Sequence, residues 1–303
     1  MGWSSPVNDW AVMVQVRTSI IATLDGRELC VESSGDPSGK ALLFHNGTPT
    51  SRKLFKDMVE EGNARGANLI CYDRPGYGGS TPQPGRTVAD SVQDVQTITA
   101  HLDIDRIAVW GISGGGPHAI ASAVLLPDLV CAAATFCSLA PVSASDFDFF
   151  NGMTEKKQKE RELYFSDPAG YRQHLHRSRE EIMTATKDYL AAKLQAMSPE
   201  VRVSQAFYEF SYETMRIAVE KGIEGYWEDH RAFFSDWGFD PSNNSVPIQI
   251  WHGQKDSDVP FQYSEWLSKT IPNSELHLTL TDGHFSILEN HRVEVMEWLL
   301  QHF

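Results

Sequence analysis

The 303-residue chain contains no apolar run near the roughly 18 residues that a membrane-spanning helix needs. Basic residues are scarce: 26 Lys and Arg stand against 40 Asp and Glu, a net charge of -14. Such a balance repels phosphate backbones and anionic lipid surfaces, so neither a nucleic acid nor a membrane is expected as a partner. Cysteines are few, and Cys30, Cys71, Cys131 and Cys137 show no paired CxxC spacing. They read as small buried hydrophobes in strand-like segments, and no metal site is expected of them. Internal repeats and low-complexity tracts are lacking too. At the N-terminus, MGWSSPVNDW has neither a basic segment nor the continuous apolar stretch of a secretory signal, and Pro6 stands where a myristoylation motif carries Ser or Thr. The expectation is a cytoplasmic protein that meets a small-molecule substrate, with the oligomeric state open between monomer and homodimer.

With 41% apolar and 22% charged residues, the composition is that of a globular protein. From residue 11 onward, short β-branched runs alternate with longer segments of helical period, the mark of a sheet wrapped by helices. The predicted strands are AVMVQV, ELCVESSG, ALLFHN (41 to 46), ANLICYD (67 to 73), RIAVWGI (106 to 112), LVCAAATFCSLA (129 to 140), VPIQIWHG (246 to 253) and ELHLTL (275 to 280). Helical stretches fall at 51 to 65, 87 to 102, 116 to 126, 261 to 270 and 286 to 302. The expected architecture is an α/β body of residues 1–140 and 241–303, holding a mostly parallel eight-stranded sheet. Residues 141–240 break the alternation as an inserted block of consecutive helices.

That block holds 17 of the chain's 32 aromatic residues in a third of its length: nine Phe, six Tyr and two Trp between Phe147 and Phe239. Small helices use bulky rings to pack on one another. Some rings are also expected to line a pocket roofed by the insertion, with Phe149, Phe150, Phe207, Phe210, Phe233 and Phe234 as candidates.

In WGISGGGPHAI, residues 110 to 120, a lone serine sits among glycines between a buried strand and a helix. Ser113 therefore lies at the carboxyl edge of the sheet, where open α/β proteins place their sites. A strained turn there demands small neighbours, which Gly111, Gly114, Gly115 and Gly116 supply. A serine hydroxyl becomes nucleophilic only beside a base that a third group orients. His284 in TLTDGHFSIL follows a strand and precedes the last helix at the same sheet edge; His118, His252, His291 and His302 lie in helices or at a strand end. The acid is expected in VPIQIWHGQKDSDVP, with Asp256 favoured over Asp258, which is placed to cap the next helix or to face solvent. Backbone N–H donors for an oxyanion are expected from Gly114 and, in the loop after ALLFHN, from Thr48, with His45 and Asn46 bracing that loop or facing the cleft.

Ser113 in GISGG, Asp256 in HGQKD and His284 in DGH resemble the nucleophile, acid and base of the α/β-hydrolase superfamily, in that family's order Ser, Asp, His. The segment DRPGYGGS, 73 to 80, resembles the loop after the family's fourth strand, and the insertion resembles its cap. One departure stands out: the usual His-Gly before the oxyanion loop reads Asn46-Gly47, with His45 displaced by one position. The resemblance implies a serine hydrolase without metal or other cofactor, cleaving a carboxylic ester of a small to medium apolar substrate through an acyl-enzyme. A serine in place of aspartate argues against the aspartyl-ester chemistry of haloalkane dehalogenases and epoxide hydrolases. Two alternatives stay open. One is an aminopeptidase resembling proline iminopeptidase, with Glu209 and Glu213 holding an amino terminus. The other is a non-hydrolytic lyase or ligand receptor.

Overall fold

The computed structural model describes residues 15–144, 148–198 and 201–303. The N-terminal decapeptide and the first four residues of AVMVQV lie outside the described residues. The first described strand is β1 (Val16–Ala22), and seven more follow: β2 (Glu28–Ser34), β3 (Lys40–His45), β4 (Ala67–Tyr72), β5 (Ile107–Ile112), β6 (Val130–Phe136), β7 (Ile248–Gly253) and β8 (Ser274–Thr279). They form one sheet in the order β1-β2-β4-β3-β5-β6-β7-β8. Only the β1–β2 and β2–β4 pairings are antiparallel; all others are parallel. The body helices are α1 (Lys56–Ala64), α2 (Ser91–His101), α3 (Gly116–Leu125), α9 (Gln262–Thr270) and α10 (Ser286–Leu300).

Burial explains why the central strands read as apolar without alternation. All six residues of β4, β5 and β7 are buried, because helices cover both faces of the sheet. Successive side chains still point to opposite faces. Leu43, Ile70, Ile107 and Val109 join the core beneath α2, α3 and α9. Leu42, Leu69, Ala108 and Trp110 join the core beneath α1 and α10. Side chains of this size each contribute about 1.5–3 kcal/mol when fully buried, so the two cores fix the strand register.

Between β6 and β7 the chain leaves the sheet and forms α4 (Glu155–Ser166), α5 (Pro168–Thr184), α6 (Lys187–Gln195), α7 (Gln205–Val219) and α8 (Glu224–Phe233). Four of these five starts are written locally. Thr154, Asp167, Thr186 and Ser204 are N-caps whose side-chain oxygens accept the N–H groups of Lys157, Gly170, Tyr189 and Phe207, satisfying donors that a helix leaves open at its first turn. The helices pack through small separate clusters, such as Tyr171, Leu175 and Ile223, or Leu190, Leu194 and Tyr208. They lie over the carboxyl edge of the sheet, where they and the body enclose a cavity of about 920 Å³.

Candidate active site

At the end of β5 the chain turns through Ser113 with φ of 54° and runs directly into α3. A left-handed backbone at a non-glycine residue is strained, and here close packing imposes it. A Cβ on Gly115 would lie 1.9 Å from the His45 carbonyl oxygen, and one on Gly111 would lie 2.5 Å from the Gly115 carbonyl oxygen. Only glycine fits at either place. Within this turn Ser113 alone is partly exposed, and it borders the cavity.

His284 stands in the loop between β8 and α10 and borders the same cavity. Its backbone N–H donates to Ser198 Oγ at 2.7 Å, and its Nδ1 lies 2.7 Å from Asp256 Oδ2. The Asp256 carboxylate is fully buried. Its Oδ1 accepts the N–H groups of Asp258 at 2.8 Å and Val259 at 3.0 Å, while His252 Nε2 lies 3.4 Å from Oδ2. Burial alone would raise the Asp256 pKa, but His284 and His252 hold it well below the usual carboxylate range. Burial likewise pushes the His284 pKa down, and the carboxylate beside it more than offsets this, so it sits above the ordinary histidine value. An ionised acid therefore fixes Nδ1 as the protonated nitrogen and leaves Nε2 to accept a proton.

The remaining histidines have other work. His252 bridges Ser264 Oγ and the Val259 carbonyl, His291 pairs with Asp282, His302 bonds back to the Trp298 carbonyl, and His118 is buried in α3. Asp258, the rival acid, is neither a helix cap nor simply solvated. Its carboxylate meets Lys157 Nζ of α4 at 2.5 Å, tying the insertion to the loop that carries Asp256. Cys137 turns with φ of 48° just after β6, and its thiol faces Asp256. Cys137, Asp256 and His284 are the trio of possible metal-binding side chains found among the described residues, with ligand atoms within 4.8 Å of one another. Burial and then Asp256 push the Cys137 thiol well up, which keeps it a protonated donor, and the other two are bonded to each other.

Thr48 borders the cavity and packs directly against Gly114, where a Cβ would lie 2.3 Å from Thr48 Oγ1. Among the described residues the Thr48 N–H has no protein acceptor. From the sequence, His45 and Asn46 are expected to brace this loop or face the cleft; Asn46 does both, and the structure corrects the expectation for His45. His45 is buried away from the cavity, and burial holds its ring well below its ordinary pKa. Asn46 borders the cavity and donates to the Ser51 carbonyl at 2.7 Å. The main brace is Arg74, from the DRPGYGGS segment. Its Nη1 donates to the Asn46 carbonyl, and its Nη2 donates to the Gly47 carbonyl at 2.8 Å and Thr48 Oγ1 at 2.9 Å.

Of the six candidate phenylalanines, Phe207 and Phe210 border the cavity. Phe149, Phe150, Phe233 and Phe234 do not. Phe149 stacks on Tyr263 at 5.3 Å, Phe150 packs edge-on against Phe149, Phe233 lies against His118 behind the Ser113 turn, and Phe234 sits between Tyr164 and the Arg161 guanidinium. Phe149 and Phe233 thus seat the ends of the insertion on the body, while Phe150 and Phe234 pack on the insertion's own side chains. In their place the cavity wall uses Phe55, which precedes α1, and Phe285, which follows His284. With Phe207 and Phe210 they form an aromatic box, ring centroids 5.2 to 6.3 Å apart. Glu209 and Glu213 lie on the exposed face of α7, outside the cavity. The carboxylates that do border it include Glu160, which Lys157 and Arg161 hold down to about 2 against the upward push of burial.

Comparisons with known proteins agree with this architecture. A family model described as alpha/beta hydrolase fold matches residues 40–291. A probable proline iminopeptidase of Leptolyngbya boryana is 23% identical over 84% of both chains. An AB hydrolase superfamily protein of Bacillus subtilis is 26% identical over 89% of this chain and 93% of its own. Among solved structures, an esterase from Exiguobacterium antarcticum superposes with a TM-score of 0.67 at 18% identity, covering 94% of this chain and 99% of that one. A bromoperoxidase from Bacillus anthracis matches with the same TM-score and coverage at 21% identity. Among the described residues, no helix is long and apolar enough to cross a membrane.

Proposed function

Since the chain belongs to the α/β-hydrolase fold family, we propose that it is a serine hydrolase of carboxylic esters whose acid or alcohol part is apolar and of small to medium size. The observation that carries this is a strained, partly exposed Ser113 on the same cavity as His284, whose ring is bonded at 2.7 Å to a buried carboxylate. In this reading His284 Nε2 takes the proton of the Ser113 hydroxyl as its oxygen attacks the ester carbonyl. Negative charge builds on the carbonyl oxygen and is met by the N–H groups of Thr48 and Gly114. His284 returns the proton to the departing alcohol, leaving an acyl group on Ser113. Water, deprotonated by His284, then releases the acid. The Phe55, Phe207, Phe210 and Phe285 box supports an apolar part of the substrate, while charged side chains such as Lys157, Glu160 and Glu181 border the same cavity.

Fluorophosphonate labelling together with nitrophenyl ester turnover tests the assignment. Both are expected in the parent protein and both are expected to vanish in Ser113→Ala; a variant still labelled and still active overturns it. Relatives named as proline iminopeptidases favour a second reading, cleavage of an amino-terminal residue. Glu209 and Glu213 are exposed and do not serve it. Turnover of prolyl anilides without turnover of nitrophenyl esters would move the assignment there.

A further inference from the structure

Directly beneath Thr48 lies a carboxylate that the ester-cleaving reading leaves without a task. Asp229 comes from α8 of the insertion, and its side chain is fully buried. Its Oδ2 accepts the Thr48 hydroxyl at 2.5 Å, the Tyr77 hydroxyl at 2.9 Å and Arg74 Nη2 at 2.6 Å. Its Oδ1 accepts Arg86 Nη2 at 2.5 Å and Arg74 Nε at 3.2 Å, with His118 Nε2 3.7 Å away. Burial would favour the neutral acid; Arg74 and Arg86 override it and keep Asp229 ionised. His118 is held at about 4 by burial, so the flanking imidazole is neutral near pH 7.

We propose that Asp229 is a positioning residue for the oxyanion hole: through Arg74 and the Thr48 hydroxyl, the insertion aims a backbone N–H of the body at the reacting carbonyl. The proposal rests on the assignment of Ser113 as nucleophile and Thr48 as oxyanion donor. Its physical basis is the planarity of the peptide bond. In a trans peptide the C=O of Gly47 and the N–H of Thr48 lie in one plane and point in opposite directions. Arg74, together with the Thr50 hydroxyl, holds the Gly47 oxygen on one side, which directs the Thr48 N–H to the other. Asp229 holds that guanidinium through two of its nitrogens. A second link acts on the Thr48 side chain, whose hydroxyl donates to Asp229 and accepts from Arg74. With its hydroxyl so committed, Thr48 has its N–H left for the substrate.

A buried Asp–Arg cluster can also serve only to clamp the insertion to the body, so the test needs a readout that clamping alone does not move. Thr48→Val keeps the shape of the side chain and removes one hydroxyl, leaving Asp229 with both arginines. With a nitrophenyl ester it is expected to lower kcat by about 10- to 100-fold with KM changed less than about twofold, the pattern of an interaction made only in the transition state. Inhibition by phenylboronic acid, which forms a tetrahedral adduct on serine, should weaken in proportion. Thr48→Ser should recover most of the loss. Asp229→Asn should reproduce the pattern, and the double variant should fall no more than about threefold below the worse single variant, since both cut one linkage.

Retention of kcat within about threefold in Thr48→Val, a change confined to KM, or losses that multiply in the double variant would each overturn the proposal. If Asp229→Asn does not fold, Thr48→Val decides alone. Failure of the underlying assignment shows elsewhere, as Ser113→Ala that remains active.

Discussion

The body and the insertion of this protein were built under different constraints, and the contrast shows where its chemistry is decided. In the body, each central strand is covered on both faces, and a one-residue slip would drive Leu42 and Leu43, or Ala108 and Val109, into the wrong core. The elements are therefore determined by composition and period. In the insertion, five helices pack through several small clusters, and none is covered all round. Caps at Thr154, Asp167, Thr186 and Ser204 say where helices begin but not which face turns inward. In the proposed reading the body thus supplies the reacting groups, and the insertion supplies part of the cavity wall around them.

The sharpest break in that comparison comes from the body's own reacting groups. Ser113→Ala is expected to cost on the order of 10⁴–10⁶ in kcat, read by ester hydrolysis. Asp256→Asn should cost about 10⁴, because the amide no longer holds the reactive tautomer of His284. Asp258→Asn should stay within about tenfold, as it loses an ion pair to Lys157 and no orienting bond to His284. Equal losses at the two aspartates would erase the distinction between a body acid and a bridge to the insertion.

Stability should separate the regions next. Ile70→Ala, in the middle of the sheet, is expected to cost about 2–5 kcal/mol in denaturant unfolding. Tyr189→Ala, 53% exposed on α6, should cost less than about 1 kcal/mol. Within the insertion, Phe210→Ala should raise KM for apolar esters by about tenfold while leaving kcat nearly unchanged. Phe234→Ala should instead lower thermal stability, since its ring packs on Tyr164 and Arg161 and not on the cavity. If Phe234→Ala changed KM and Phe210→Ala did not, the cavity assignment would be reversed.

The smallest effect is a displacement along the pH axis. His284 must be neutral to accept the serine proton, so kcat/KM should rise with pH as the ring loses its own proton. Asp256 holds the ring's pKa above the ordinary histidine value of 6.5, so the acid limb should have its midpoint above that value. A midpoint below 6.5 in the pH profile would show that burial outweighs the carboxylate.

Much of the site was legible because it depends on local rules. A strained strand-to-helix turn admits only glycine beside Ser113, and loops after strands at one sheet edge converge whatever their separation along the chain. Residues whose role depends on a partner distant in sequence were not legible. Arg74 and Asp229 are 155 positions apart, and neither stands in a motif that announces the other. Phe55 and Phe285 lie in separate body loops and become one wall only because α7 brings Phe207 and Phe210 between them. His45, next to the loop it was expected to brace, was drawn into the core by the alternation of β3, and a guanidinium took its place.

By itself the amino-acid sequence determined an eight-stranded mostly parallel sheet, the site of the interruption, and a candidate serine, aspartate and histidine at one sheet edge, because period, burial and turn sterics act over a few residues at a time. The tertiary structure alone decided which rings face the cavity and which side chain holds the loop that carries Thr48. Those choices depend on distances between atoms that the chain brings together only when two cores and several small clusters have closed.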